Sequence, residues 1–143
     1  MAVSILLLAA PSCAPHGARP PLFSGSPVIT VRMTDYAFEL PADIPAGRVV
    51  FRVENAGSLY HNVSVFGMGP EWLPLDEQLH SATRKSVNPF AQVFAMQPGE
   101  HGTFAANFRK GGRYGFICEL ASPDGRPHYL LGMNAEIRPG GGT

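Results

Sequence analysis

Cys118 closes a run in which Tyr114, Phe116 and Cys118 occupy alternate positions. Alternation sends those three side chains to one face of a strand, so the thiol points inward behind two aromatic rings. The same period of two recurs along the chain. Val49, Phe51 and Val53 share a face, as do His61, Val63 and Val65, then Phe104, Ala106 and Phe108, and finally Met133, Ala135 and Ile137. Three of these inward stripes carry a residue with metal-binding chemistry at or near one end: His61, Cys118 and Met133. His128 lies in the loop between the last two.

The rest of the chain punctuates this pattern. Its 16 glycines and 14 prolines cut it into short pieces and leave few helix-length runs, which favours an all-β domain. Strands are expected at 28–33, 38–40, 49–54, 59–66, 91–96, 103–108 and 114–118, with a last one starting near Met133. Turns fall at 45–47, 55–57, 97–99 and 110–113. Between 67 and 89 the alternation fails. A short helix within 71–80, starting at Pro74, is expected there as an excursion over the side of a sheet. Seven to eight short antiparallel strands predict a Greek-key sandwich of two sheets. The folded domain should occupy 28–139, with 140–143 as a tail. A chain of 143 residues suits one such domain and can bury an adequate core without disulfides.

The N-terminal end reads differently. Residues 1–13 hold a short apolar run, far below the ~20 residues that span a bilayer. It has the character of a secretory leader, although a positively charged start is missing. Cys13 follows small residues, as at a bacterial lipoprotein cleavage site, where it would carry lipid and tether the protein to a membrane. Ala10 and Pro11 fit that site imperfectly, so simple cleavage nearby is the alternative. Residues 14–27 are rich in Pro, Gly and Ser and read as a tether. Both readings predict export, to the periplasm or the outer face of the cytoplasmic membrane. The two cysteines permit no disulfide framework, and a Cys13–Cys118 bond would waste a thiol with a better role.

Charge excludes one large class. Lys plus Arg and Asp plus Glu each number 11, so no basic face is available for nucleic acid. Global steering toward a charged partner is equally disfavoured.

Two imidazoles, a thiolate and a thioether are the donor set of a mononuclear blue-copper site, with two His and one Cys trigonal and a weak axial Met. Each residue alone is unremarkable. A buried Cys is usually inert packing, and a His on an apolar strand is usually a satisfied core residue. Specificity lies in the set: nine residues separate Cys118 from His128, four separate His128 from Met133, and His61 stands upstream. His16, His80 and His101 fit no ligand pattern, and Met33, Met68 and Met96 read as packing, with lining of the approach to the metal as the alternative for Met68 and Met96.

With these residues in place, the chain resembles the cupredoxins, the plastocyanin- and azurin-like blue copper proteins. The resemblance rests on the Asn55-x-Gly57 turn, the His61-Asn62 pair, the Pro98-Gly99 turn, the run from Gly112 to Cys118, and His128 followed by Gly132-Met133. It covers about 28–139. It implies one copper per chain, held by His61, Cys118, His128 and Met133. It also implies that the Asn62 backbone N–H donates to the Cys118 sulfur while its side chain ties the ligand loops together. In the family the histidine matching His128 reaches the surface in an apolar patch, where redox partner proteins dock. The loop from Cys118 to His128 is longer than in plastocyanin and closer to that of the type 1 domain of copper nitrite reductases.

The expected function is one-electron transport by a monomer, with copper cycling between Cu(I) and Cu(II). Copper storage, delivery or tolerance is the alternative with the same ligands. Enzymatic copper chemistry is disfavoured, because it would need further copper ions and a second such domain. Zinc can also occupy a site of one Cys and two His.

Overall fold

The computed structural model describes residues 25–141. The leader at 1–13, with Cys13, and most of the tether lie outside the described residues. Eight strands form two four-stranded sheets. They are β1 (Val28–Thr34), β2 (Ala37–Glu39), β3 (Gly47–Asn55), β4 (His61–Met68), β5 (Ala91–Met96), β6 (His101–Phe108), β7 (Arg113–Ile117) and β8 (Asn134–Ile137). One sheet runs β2-β1-β3-β6 and the other β5-β4-β7-β8. Among the described residues one helix, α1 (Leu75–His80), follows Pro74, and a 3-10 turn occupies His128–Leu131.

One pairing corrects the expectation of an antiparallel sandwich. β1 and β3 run parallel, from Val28 opposite Val50 to Met33 opposite Asn55. β2 turns back on β1 for only three residues, and the chain then returns to enter the sheet on the far side of β1 in the original direction. The other strand pairs are antiparallel.

The alternating stripes meet between the sheets. Val49, Phe51, Val53, Val63, Val65, Phe116 and Met133 are all essentially inaccessible to solvent. Phe51 stacks on Phe104 with centroids 4.8 Å apart and meets Phe108 and Phe116 edge-on. That aromatic cluster joins the two sheets, with geometry that adds to the gain from area alone.

β4 and β7 are buried on both faces, which period two did not predict. Phe66, Met68 and Ile117 point away from the main core and are covered by Leu75 and Leu79 of α1. The segment between β4 and β5 therefore gives the second sheet an outer apolar layer. Gly115 of β7 makes this packing possible. A Cβ there would sit 2.5 Å from Phe66 Cζ, and the ring is fully buried. Gly115→Ala is expected to cost about 1–3 kcal/mol, the usual penalty of overpacking. Denaturant unfolding measures it, and an unchanged midpoint would show that Phe66 has room to move.

Candidate metal centre

Four short segments converge at one end of the sandwich. His61 is the first residue of β4, Cys118 directly follows β7, His128 opens the 3-10 turn, and Met133 directly precedes β8. All four are buried, with at most 1% of their surface exposed. One donor atom each from His61, Cys118 and His128 lie within 4.8 Å of one another. The two histidines face each other through Nδ1, 3.1 Å apart. Cys118 Sγ is 3.4 Å from His128 Nδ1 and 3.9 Å from His61 Nδ1. Met133 lies in the core beside them.

Backbone hydrogen bonds preset this arrangement. The Cys118 N–H donates to Met133 O at 3.1 Å, Tyr129 N–H to Cys118 O at 3.0 Å, and Met133 N–H to His128 O at 3.0 Å. The segment from Cys118 to Met133 is thus bonded to itself around the donors. Gly132 closes the 3-10 turn with φ of 107°, a left-handed value that a side chain would strain. On the other side, buried Asn55 steers the approach to His61. Its Nδ2 donates to Leu59 O and Met96 O, and its Oδ1 accepts from Gly57 N–H. Those bonds hold 56–60 as a loop, so β4 begins at His61 rather than at 59.

Asn62 links the two halves. Its N–H donates to Cys118 Sγ at 3.4 Å, and its Oδ1 accepts from Glu119 N–H at 2.8 Å. The long loop that follows folds onto itself. Ser122 N–H donates to Arg126 O, Gly125 N–H donates to Ser122 O, and the Asp124 carboxylate is paired with Arg126. The Ser122 hydroxyl bonds Asp124 as well, and with Arg126 it holds that carboxyl well below the usual range. The extra length is spent on a small closed hairpin.

Electrostatics favour the uncharged forms of Cys118 and His128 without a metal. Burial pushes the Cys118 thiol up, against the lowering effect of the Asn62 N–H. Burial also pushes His128 down, and the neighbouring His61 adds to this. His128 Nε2 is buried with no hydrogen-bond partner. His128 does not reach the surface as the resemblance implied, since its ring is 1% exposed. It instead forms the floor of a depression of about 460 Å³, walled by Leu59, Tyr60, Ala95, Leu120 and Pro123. Ala121 and Ser122 of the hairpin complete its lining, and Tyr60 is exposed beside it.

Two neighbours of the centre were not legible in the sequence. Asp35 and Tyr36 form the turn between β1 and β2. Asp35 Oδ1 lies 3.0 Å from His61 Nε2, and the Tyr36 ring meets His128 edge-on at 5.1 Å. Tyr36 has φ of 66°, unusual for a residue with a side chain. The carboxyl of Asp35 is lowered to about 2, chiefly by the Ser58 hydroxyl, with further lowering from His61 and the Leu59 and Ser58 N–H groups against the opposing effect of burial. Met33 and Met96 are core residues, Met96 in register opposite His61 across β4 and β5, and His80 and His101 are exposed.

No protein-family model matches this sequence, and no curated protein does. Solved structures share its architecture. Dithionite-reduced auracyanin from Roseiflexus castenholzii aligns with a TM-score of 0.54 at 20% identity, over 80% of this chain and 97% of that one. Auracyanin A, a "blue" copper protein from Chloroflexus aurantiacus, aligns at 0.50 and 19% identity, over 78% and 98%. An azurin from Methylomonas sp. strain J aligns at 0.50 and 15% identity, over 80% and 98%. At such identities the likeness is one of fold. The chain is a cupredoxin by fold, and its buried His-Cys-His group fits one type 1 copper, because two imidazoles and one thiol converge as that ion requires.

Proposed function

We propose that this chain is an exported one-electron carrier whose copper would be held by His61 Nδ1, His128 Nδ1 and the Cys118 thiolate, with Met133 as a fourth, weak donor. The observation that carries the reading is the convergence of three buried donors from separate segments within 4.8 Å. When bound, copper supplies the couple between Cu(I) and Cu(II).

The protein contributes the rest. The Cys118 thiol gives up its proton on metal binding, since only the thiolate is a ligand. The backbone bonds that hold the donors in place keep their movement per electron small. Burial keeps water away from the sulfur. The apolar depression over His128 offers redox partners a contact that does not depend on charge, in keeping with the balanced composition. No helix among the described residues is long and apolar enough to cross a membrane. Lipid carried by Cys13 would supply a membrane tether.

The test is a Cu(II) titration of the metal-free protein followed by visible absorption. One equivalent is expected to give an intense colour that bleaches with mild reductant, returns on oxidation and persists against a chelator. Stoichiometric uptake without that colour would instead indicate copper handling.

A further inference from the structure

Asp35 is built into the structure as a partner for His61. Its carboxylate receives Ser58 N–H at 2.9 Å, the Ser58 hydroxyl at 2.5 Å and Leu59 N–H at 3.2 Å, besides His61 Nε2 at 3.0 Å. Residue 57 has no space for a side chain. A Cβ on Gly57 would lie 2.3 Å from Asp35 Oδ1 and 2.8 Å from His61 Nε2. Three consecutive residues, 57–59, are thus shaped around one carboxylate. An ionised carboxylate only accepts hydrogen bonds, so the proton between it and His61 belongs to Nε2. That leaves the Nδ1 lone pair bare and aimed at the donor cluster. In the metal-free protein the 3.1 Å contact between the two Nδ1 atoms then needs His128 as its donor.

Resting on the copper reading above, we propose that Asp35 is the positioning residue of the centre: it fixes the His61 tautomer that presents Nδ1, and its negative charge, acting through the ring, favours the oxidised state of a bound copper and lowers the reduction potential. Carboxylate partners on metal-bound histidines set ring orientation and raise ligand basicity. A negative charge close to the ion stabilises the more positive redox state. Asp35 is about one-third exposed, so solvent screens part of this effect.

Two measurements test the proposal separately from the copper reading. The first is the imidazole ¹⁵N spectrum of the metal-free wild-type protein. The expected pattern has His61 protonated at Nε2 and His128 at Nδ1. A His61 proton on Nδ1 would overturn the proposal, whether or not the protein binds copper. The second is the potential of copper-loaded Asp35→Asn. The introduced amide keeps the shape, loses the charge and can turn either its oxygen or its N–H toward His61. Relative preference for Cu(II) over Cu(I) is expected to fall about tenfold, a rise of about 59 mV for a one-electron couple. A potential that falls, or a preference that changes less than about twofold with the fold intact, refutes the electrostatic role. Should wild type bind copper without thiolate colour, the carrier reading fails, while the ¹⁵N spectrum still decides what Asp35 does to His61.

Discussion

Cys118→Ser is expected to abolish the intense visible absorption of the copper-loaded protein and its reversible one-electron couple. The colour requires a thiolate bound to Cu(II), and serine offers a hard hydroxyl that stays protonated. Cys118 Sγ is the only sulfur among the three clustered donors, at 3.4 and 3.9 Å from the two imidazole nitrogens. Its loss leaves two histidines and Met133, too few strong donors for the trigonal set. Copper affinity should fall by more than the about 10–100-fold that follows removal of an outer contact to a ligand. The fold should survive. The lost contacts are weak ones to sulfur, from the Asn62 N–H and the two imidazole nitrogens, and the serine hydroxyl has partners in the same groups, so the metal-free variant should unfold within about 1 kcal/mol of wild type. Absorption, voltammetry and a copper competition titration read the first effects, and denaturant unfolding reads the last. Persistence of the intense colour in the serine variant would refute thiolate ligation.

The reason this residue could be singled out in advance is local. Tyr114, Phe116 and Cys118 alternate, and all three are buried in the structure. His61, Val63 and Val65 behave the same way. Period two is written into consecutive residues, so the strands, their inward faces and the three donors that continue them are legible in sequence. The outer partners are not. Asp35 reaches His61 across 26 positions, from a turn whose composition resembles any other turn. The parallel entry of β3 beside β1 depends on where the 40–46 connection crosses, which no residue pattern encodes. The burial of His128 depends on how the Cys118–His128 loop folds over itself through Ser122, Asp124 and Arg126. Loop length alone did not reveal that hairpin. The segment between β4 and β5 was likewise recognisable as an interruption, but its role as a cover for Phe66 and Ile117 emerges only from packing.

What fastens that cover is the subject of the second large effect. Arg113, at the start of β7, donates to both oxygens of Glu136 in β8 at 2.8 and 2.9 Å. The same guanidinium donates to Trp72 O at 2.7 Å and Leu73 O at 3.0 Å, and Glu136 accepts Leu75 N–H at the start of α1 at 3.1 Å. One forked ion pair therefore ties β7, β8 and the approach to α1 together, with side chains only 10% and 20% exposed. Arg113→Ala is expected to destabilise the protein by about 3–5 kcal/mol, because it leaves a largely buried carboxylate with only the Leu75 N–H and the exposed Arg138, and takes a donor from the carbonyls of Gly69, Pro70, Trp72 and Leu73. Lysine at 113 should recover only part of the loss, since a point charge cannot reproduce the fork. The pH dependence carries a sign. Arg113 holds the Glu136 carboxyl below its ordinary value, with the Leu75 N–H assisting against burial. A depressed carboxyl stabilises the fold above its unfolded-state value and loses that contribution as pH falls through the folded-state value. Wild type should thus lose stability on acidification more steeply than Arg113→Ala, and the gap between them should narrow toward acid. Denaturant unfolding of both proteins at neutral and acidic pH measures this. A cost below about 1 kcal/mol at neutral pH, or a gap independent of pH, would mean that solvent screens the pair as it does at an open surface. In that case the segment between β4 and β5 would be held by its other contacts, chiefly the packing of Leu75 and Leu79 and the bonds of Asp76 to Asn134 and Arg84 to Tyr129.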